Sequence, residues 1–225
     1  MLTPEQVIPW GRNFEEYRRM FALSDRELQG RILSVGDGPA SFNAQMHQLG
    51  HLVNSADPIY ALSREAIHQR IMEVKDDLLQ QVALHQDQYV WEQIRDVKVL
   101  ERLRMEAMQL FLDDFESGLA ARRYLAHALP GQLPFADRQF DLVLSSHFLL
   151  LYDQLGFDFH EHSIREMLRV GKEVRIFPVM RREVQGSGLA VQLANVFAAD
   201  YRVAFKSVQY EFQRGANQMM VLSHL

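Results

Sequence analysis

Apolar residues recur at three- and four-residue steps from Thr3 to Leu23, at Val7, Trp10, Phe14, Tyr17 and Phe21, and predict an amphipathic helix. Thr3 and Gln6 form a capping-box pattern around Pro4, and Ser24 caps a second short helix ending near Gly30. The period then shortens. Residues 31–35 read as a buried strand, followed by the turn Gly36-Asp37-Gly38-Pro39, a helix over 40–49 closed by Gly50, and a strand over 52–57. Residues 61–122 are helical and highly charged, with apolar positions such as Leu78, Val82, Ile94, Leu100, Met108, Phe111 and Phe115 on two or three amphipathic helices. Further strands are expected at 124–128, 140–146, 173–179, 201–212 and 218–222, with helices at 159–170 and 190–199.

Strands alternating with helices imply an α/β fold, a mostly parallel sheet covered on both faces. A chain of 225 residues without repeats or linkers predicts a single domain. Residues 61–122 exceed what one crossover helix needs, so they are read as a helical insertion after the second strand. Two roles fit it: covering the site and shaping an acceptor pocket, or forming a homodimer through its apolar stripe, with Tyr89 and Trp91 as anchors. The pocket role is favoured because the insertion leaves the sheet at its ligand-binding edge.

The net charge of −5 gives no bulk attraction to nucleic acid or anionic membranes, and no apolar run approaches a membrane span. Cysteine is absent, which excludes thiolate chemistry and fits a cytoplasmic protein. No metal site is expected. His160-Glu161-His162 lacks helical ligand spacing and is read as helix surface. Arg95, Lys98, Arg102 and Arg104 interleave with acidic residues and read as a solvated face. Arg181-Arg182, past the fifth strand, and the glycine loop 186–188 are further candidates for the border of a site.

In such a sheet the glycine turn lies at the ligand-binding ends of the strands. Gly36 and Gly38 allow close approach, and Asp57, about twenty residues on, offers a carboxylate to a ribose. Together they read as an adenosine-nucleoside site. Ser41 at the sixth position of the turn disfavours a nicotinamide dinucleotide.

The segments 32–42, Ser55-Ala56-Asp57-Pro58, 133–147 and 164–170, in this order, resemble the motifs of class I S-adenosylmethionine-dependent methyltransferases, in the broad group that includes those of quinone biosynthesis. Ser34 stands at the family's usual acidic position and Ala40 at its usual third glycine. The resemblance implies a Rossmann-like three-layer sandwich whose seven-stranded sheet has its last strand antiparallel. It also implies S-adenosylmethionine as cofactor, S-adenosylhomocysteine as product and an unidentified small-molecule acceptor. Gly36, Asp37 and Gly38 would lie along the cofactor's amino-acid part; Asp57 would bind the ribose; Pro58, Ile59, Ala128 and Leu129 would flank the adenine; Ser145 would approach the methionine end. Tyr17 and Arg12 would meet the cofactor carboxylate or the acceptor. His147 and Tyr152 are the catalytic and substrate candidates, His147 as a base and Tyr152 as an orienting group. A binding protein that has lost catalysis is the alternative reading.

Overall fold

The computed structural model describes residues 8–180 and 188–225. Among these residues the elements run α1 (Phe14–Met20), α2 (Asp25–Leu28), β1 (Ile32–Val35), α3 (Phe42–Gln48), β2 (Val53–Asp57), α4 (Arg64–Leu84) and α5 (Val97–Ala120). They continue β3 (Tyr124–Ala126), β4 (Phe140–Ser146), α6 (Phe157–Val170), β5 (Gly171–Val179), α7 (Leu189–Phe197), β6 (Tyr201–Ser207) and β7 (Gln218–His224). The sheet order is β3-β2-β1-β4-β5-β7-β6. Strands β1 to β5 pair in parallel, and β7 runs antiparallel to both β5 and β6. This is the Rossmann-like sheet order, with its last strand antiparallel, that the sequence motifs imply, and helices α4 and α5 lie between β2 and β3.

Strand alternation divides the core. Leu33, Val35 and Val143 point into one layer with Ile164, Met167 and Leu168 of α6 and Leu193 of α7. Ile32, Leu142 and Leu144 point the other way, against Phe14, Tyr17 and Phe21 of the N-terminal region and Phe42 and Met46 of α3. In the insertion, α5 packs on α3 and β3 and so acts as the crossover helix; Met108, Phe111 and Phe115 join Ile59, Tyr60 and Ile67 in a third cluster. The remainder of the insertion reaches further. Its loop bonds to the β6–β7 connection through the Val90 amide donating to the Phe212 carbonyl and the Arg214 amide donating to that of Gln88. Tyr89, Trp91 and Phe212 stack there with ring centroids 4.9–6.0 Å apart.

Several expectations need correction. The long N-terminal helix does not form across 8–13; its predicted start at Thr3 lies outside the described residues, and α1 begins at Phe14. Pro9 and Gly11 oppose a helix, and Asn13 and Glu16 form the true capping box. Residues 9–12 instead lie along the glycine turn, where the Ser41 amide donates to the Arg12 carbonyl. A Cβ on Gly11 would sit 2.1 Å from the Pro39 carbonyl oxygen, so only glycine permits this approach. The strand expected over 201–212 stops at Ser207. His160 is buried, its Nδ1 paired with the Gly156 carbonyl, and so is not surface.

Arg104 is also buried rather than solvated. It follows Leu100 by four residues and precedes Met108 by four, on the buried stripe of α5. Its guanidinium donates to both carboxylate oxygens of Glu16 on α1, at 2.7 and 2.8 Å, and the Tyr210 hydroxyl donates to the same carboxylate at 2.8 Å. Burial pushes the Glu16 carboxyl up, but the Arg104 charge and hydrogen bonds outweigh it and hold it below its ordinary value.

Removing one partner of such a pair strands a buried charge, at a cost of about 3–5 kcal/mol. Arg104→Met is therefore expected to lower urea-unfolding stability by about that amount. Glu16→Gln combined with Arg104→Met is expected to be more stable than Arg104→Met alone. A double variant no better than the single would refute the stranded charge as the cause.

Candidate functional site

The turn after β1 sets the site. Gly36 and Gly38 both have positive φ, +66° and +51°, a conformation that favours glycine. The Gly36 Cα faces Phe148, whose ring leaves no room for a Cβ, whereas space beside Gly38 is open. Across from the turn, Asp57 ends β2. Its carboxylate accepts from the amides of Gly38 (2.9 Å) and Ile59 (2.8 Å), which ties the turn to the end of the next strand. Each oxygen keeps a second lone pair for a further donor.

These residues line a cavity of about 710 Å³ with Arg12, Pro58, Ala128, Leu129, Ser146, His147, Phe148 and Tyr152. Of the thirteen residues singled out from the sequence, it gathers Arg12, Gly36, Asp37, Gly38, Asp57, Pro58, Ala128, Leu129, His147 and Tyr152. Tyr17, Ile59 and Ser145 do not line it. Tyr17 stacks on Phe42 at 4.4 Å within the α1–α3 layer. Ile59 is fully buried in the insertion's cluster. Ser145 points to the side of β4 away from the cavity-lining Ser146, as alternation along a strand requires.

Two carboxyls stand close together at this cavity. Burial pushes Asp57 up to about 6, against the two amide bonds it accepts. Burial and then the neighbouring Asp57 push Asp37 up to about 8. Asp37 meets the Ser55 hydroxyl at 2.9 Å and the Tyr60 hydroxyl at 3.0 Å. The Tyr60 hydroxyl has one proton and lies closer, at 2.7 Å, to the Gly38 carbonyl, which can only accept. Its contact with Asp37 is then best satisfied by a protonated carboxyl.

A second cavity, of about 1040 Å³, adjoins the first and shares Ile8, Trp10, Arg12, His147 and Tyr152 with it. Its other walls come from the insertion (Leu78, Gln81, Val82, Tyr89, Leu100, Arg104), from β5 (Phe177) and from the β6–β7 connection (Tyr210, Phe212, Gln213, Ala216). Trp10, Ser146, Phe148, Arg104 and Tyr210 were not among the sequence candidates. The break at Pro9–Gly11 marks Trp10, and the interruption of an apolar stripe marks Arg104; Tyr210 and Phe148 carry no local signal.

His147 stands at the junction in a left-handed backbone conformation (φ +54°), its amide donating to the Phe177 carbonyl at 2.7 Å. Burial, and then the charges of Arg12 and Arg104, push its imidazole well below the ordinary value, so it is neutral near pH 7. Its Nδ1 lies 2.9 Å from Ser146 Oγ. The Ser146 hydroxyl pairs with that nitrogen as donor or acceptor according to the imidazole tautomer, and it also lies 3.9 Å from Met20 Sδ. Burial also pushes the Tyr152 hydroxyl up, so it stays protonated. Among the described residues no cluster of three or more His, Asp or Glu side chains could hold a metal, and no helix is long and apolar enough to cross a membrane.

No family model matches the chain. Among solved structures it is similar to the PH0226 protein of Pyrococcus horikoshii (12% identity, 94% of this chain and 89% of that one, TM-score 0.50). It is also similar to a SAM-dependent methyltransferase of Aquifex aeolicus (11%, all of both chains, TM-score 0.48). At these identities the likeness is one of fold. Among curated sequences it is 30% identical over 223 residues to the uncharacterized protein MJ0045 of Methanocaldococcus jannaschii, covering 98% of each chain. At that identity along nearly the whole of both, the chain belongs to the same family as the Methanocaldococcus jannaschii protein.

Proposed function

We propose that the protein transfers a methyl group from S-adenosylmethionine to a small-molecule acceptor. The observation that carries this reading is the pair of adjoining cavities, one built on the glycine turn and Asp57, the other on aromatic residues, meeting at Arg12, His147 and Tyr152. A nucleoside fits the first. The open space beside Gly38 admits close backbone approach, Asp57 has lone pairs for ribose hydroxyls, and Pro58, Ala128 and Leu129 offer apolar surface to a base. When bound there, S-adenosylmethionine supplies an electrophilic methyl group carried on a positively charged sulfur.

The chain's own contribution is alignment and exclusion of water. Phe148 sits against the Gly36 backbone and bounds the first cavity, while the insertion and the β6–β7 connection wall the second. Neutral His147 accepts a proton from a phenol, enol or amine acceptor, while Ser146 and the Phe177 carbonyl hold its ring and backbone in place. Protonated Tyr152 donates a hydrogen bond that orients the acceptor. Tyr89, Val82 and Leu100 on the second cavity's wall support a pocket role for the insertion.

Calorimetric titration with S-adenosylhomocysteine is expected to give micromolar binding. Asp57→Ala is expected to weaken it at least about tenfold, the effect of removing a charged hydrogen-bond acceptor. NAD is expected not to bind. Failure of S-adenosylhomocysteine to bind the folded protein would refute the reading.

A second expectation concerns pH. A carboxyl raised in the folded state favours folding most below its unfolded value of about 3.9. That contribution is lost as pH rises through the folded value, here about 8 for Asp37. Stability should therefore fall between pH 4 and 8 more steeply in the wild type than in Asp37→Asn. Melting temperatures across that range check it; parallel profiles would show that Asp37 is already ionised.

A further inference from the structure

The second cavity carries a charge requirement. Its walls are largely aromatic or aliphatic, with Trp10, Tyr89, Phe177 and Phe212 among them. Two guanidinium groups reach it. That of Arg104 is neutralised by both oxygens of Glu16. That of Arg12 is not: among the described residues no carboxylate lies within ion-pair distance, its one hydrogen bond runs from Nη1 to the Trp10 carbonyl, and its buried Nε has no partner. Arg12 lines both cavities and stands at their junction. A half-buried cation with no carboxylate at pairing distance among the described residues is costly, and a ligand anion removes the cost.

We infer that the acceptor is an aromatic monoacid, whose carboxylate pairs with Arg12 and whose rings fill the aromatic cavity. The inference rests on the methyltransferase reading for the word acceptor, but the binding chemistry stands on the cavity alone. One uncompensated guanidinium matches one negative charge. His147 beside it is neutral and adds none, and Glu16 leaves nothing of Arg104 for a second charge; a carboxylate fits better than a phosphate dianion. A planar guanidinium also takes a carboxylate through two parallel hydrogen bonds. The burial that pushes Arg12 down to about 10 leaves it charged at neutral pH.

The test uses 4′-hydroxybiphenyl-4-carboxylate and its neutral carboxamide as probes, titrated into the full chain with and without saturating S-adenosylhomocysteine. The carboxylate is expected to bind at least about tenfold more tightly than the carboxamide, as a charge-assisted pair requires. Arg12→Gln should abolish that preference and Arg12→Lys should keep part of it. S-adenosylhomocysteine affinity should stay within about twofold in both variants. Without ligand, Arg12→Gln should melt no lower than the wild type, since it removes a stranded charge. Equal affinity for the two probes would overturn the proposal. So would loss of S-adenosylhomocysteine binding in Arg12→Gln with the carboxylate preference intact, which would assign Arg12 to the cofactor. A marked drop in its melting temperature would likewise overturn it, as evidence of a purely structural arginine. Absent S-adenosylhomocysteine binding with the preference retained would instead refute the methyltransferase reading and leave the acid-binding cavity standing.

Discussion

The buried contact between Arg104 and Glu16 holds together the parts of the site that the sheet itself does not position. Glu16 belongs to α1, Arg104 to α5 of the insertion, and Tyr210, which completes the carboxylate's hydrogen bonds, to the β6–β7 connection. Three segments far apart in sequence meet at one carboxylate. Charges buried this deeply tolerate little displacement, because any shift leaves one of them unpaired in a medium that cannot solvate it. The contact therefore sets the register of the second cavity's walls, much as backbone hydrogen bonding sets the register of the strands.

The first cavity depends on a different constraint, backbone proximity. The Asp57 carboxylate bridges the amides of Gly38 and Ile59, and the residues before α1 press against Pro39 so closely that Gly11 has no alternative. The N-terminal segment thus touches the glycine turn on one side and carries Trp10 and Arg12 into the junction on the other. The two cavities are coupled through that segment and through His147, which is held from β5 by its amide and from β4 by Ser146.

The electrostatics of the two cavities differ in sign. Around the glycine turn two carboxyls crowd each other, and burial raises both. Across the junction lies a guanidinium with no carboxylate at ion-pair distance among the described residues, beside a neutral imidazole. A ligand offering hydroxyl donors suits the first side, and one offering a negative charge suits the second. The division matches the proposed pairing of a ribose with Asp57 and an acidic acceptor with Arg12.

The sheet and the glycine-turn side of the site were legible in the chain because both are written locally. Apolar runs of four to seven residues, a glycine pair and an acidic residue at the next strand's end report burial and backbone conformation within a few positions. The N-terminal helix forms only from Phe14, because Pro9, Gly11 and the Asn13–Glu16 cap override the three- and four-residue apolar spacing that continues through residues 8–13. Tyr17, Ile59 and Ser145 were drawn toward the site by position in a motif, yet side-chain direction, set by helix phase and strand alternation, turned them into the core. On the second cavity the sequence marked Arg12, His147 and Tyr152, but not the charge balance around them. Arg104 became a buried partner of Glu16 only when helices 88 residues apart were packed together. Burial and counter-charge belong to that packing and not to the chain, so the glycine-turn side was determined by sequence and the charge of the second cavity by tertiary structure.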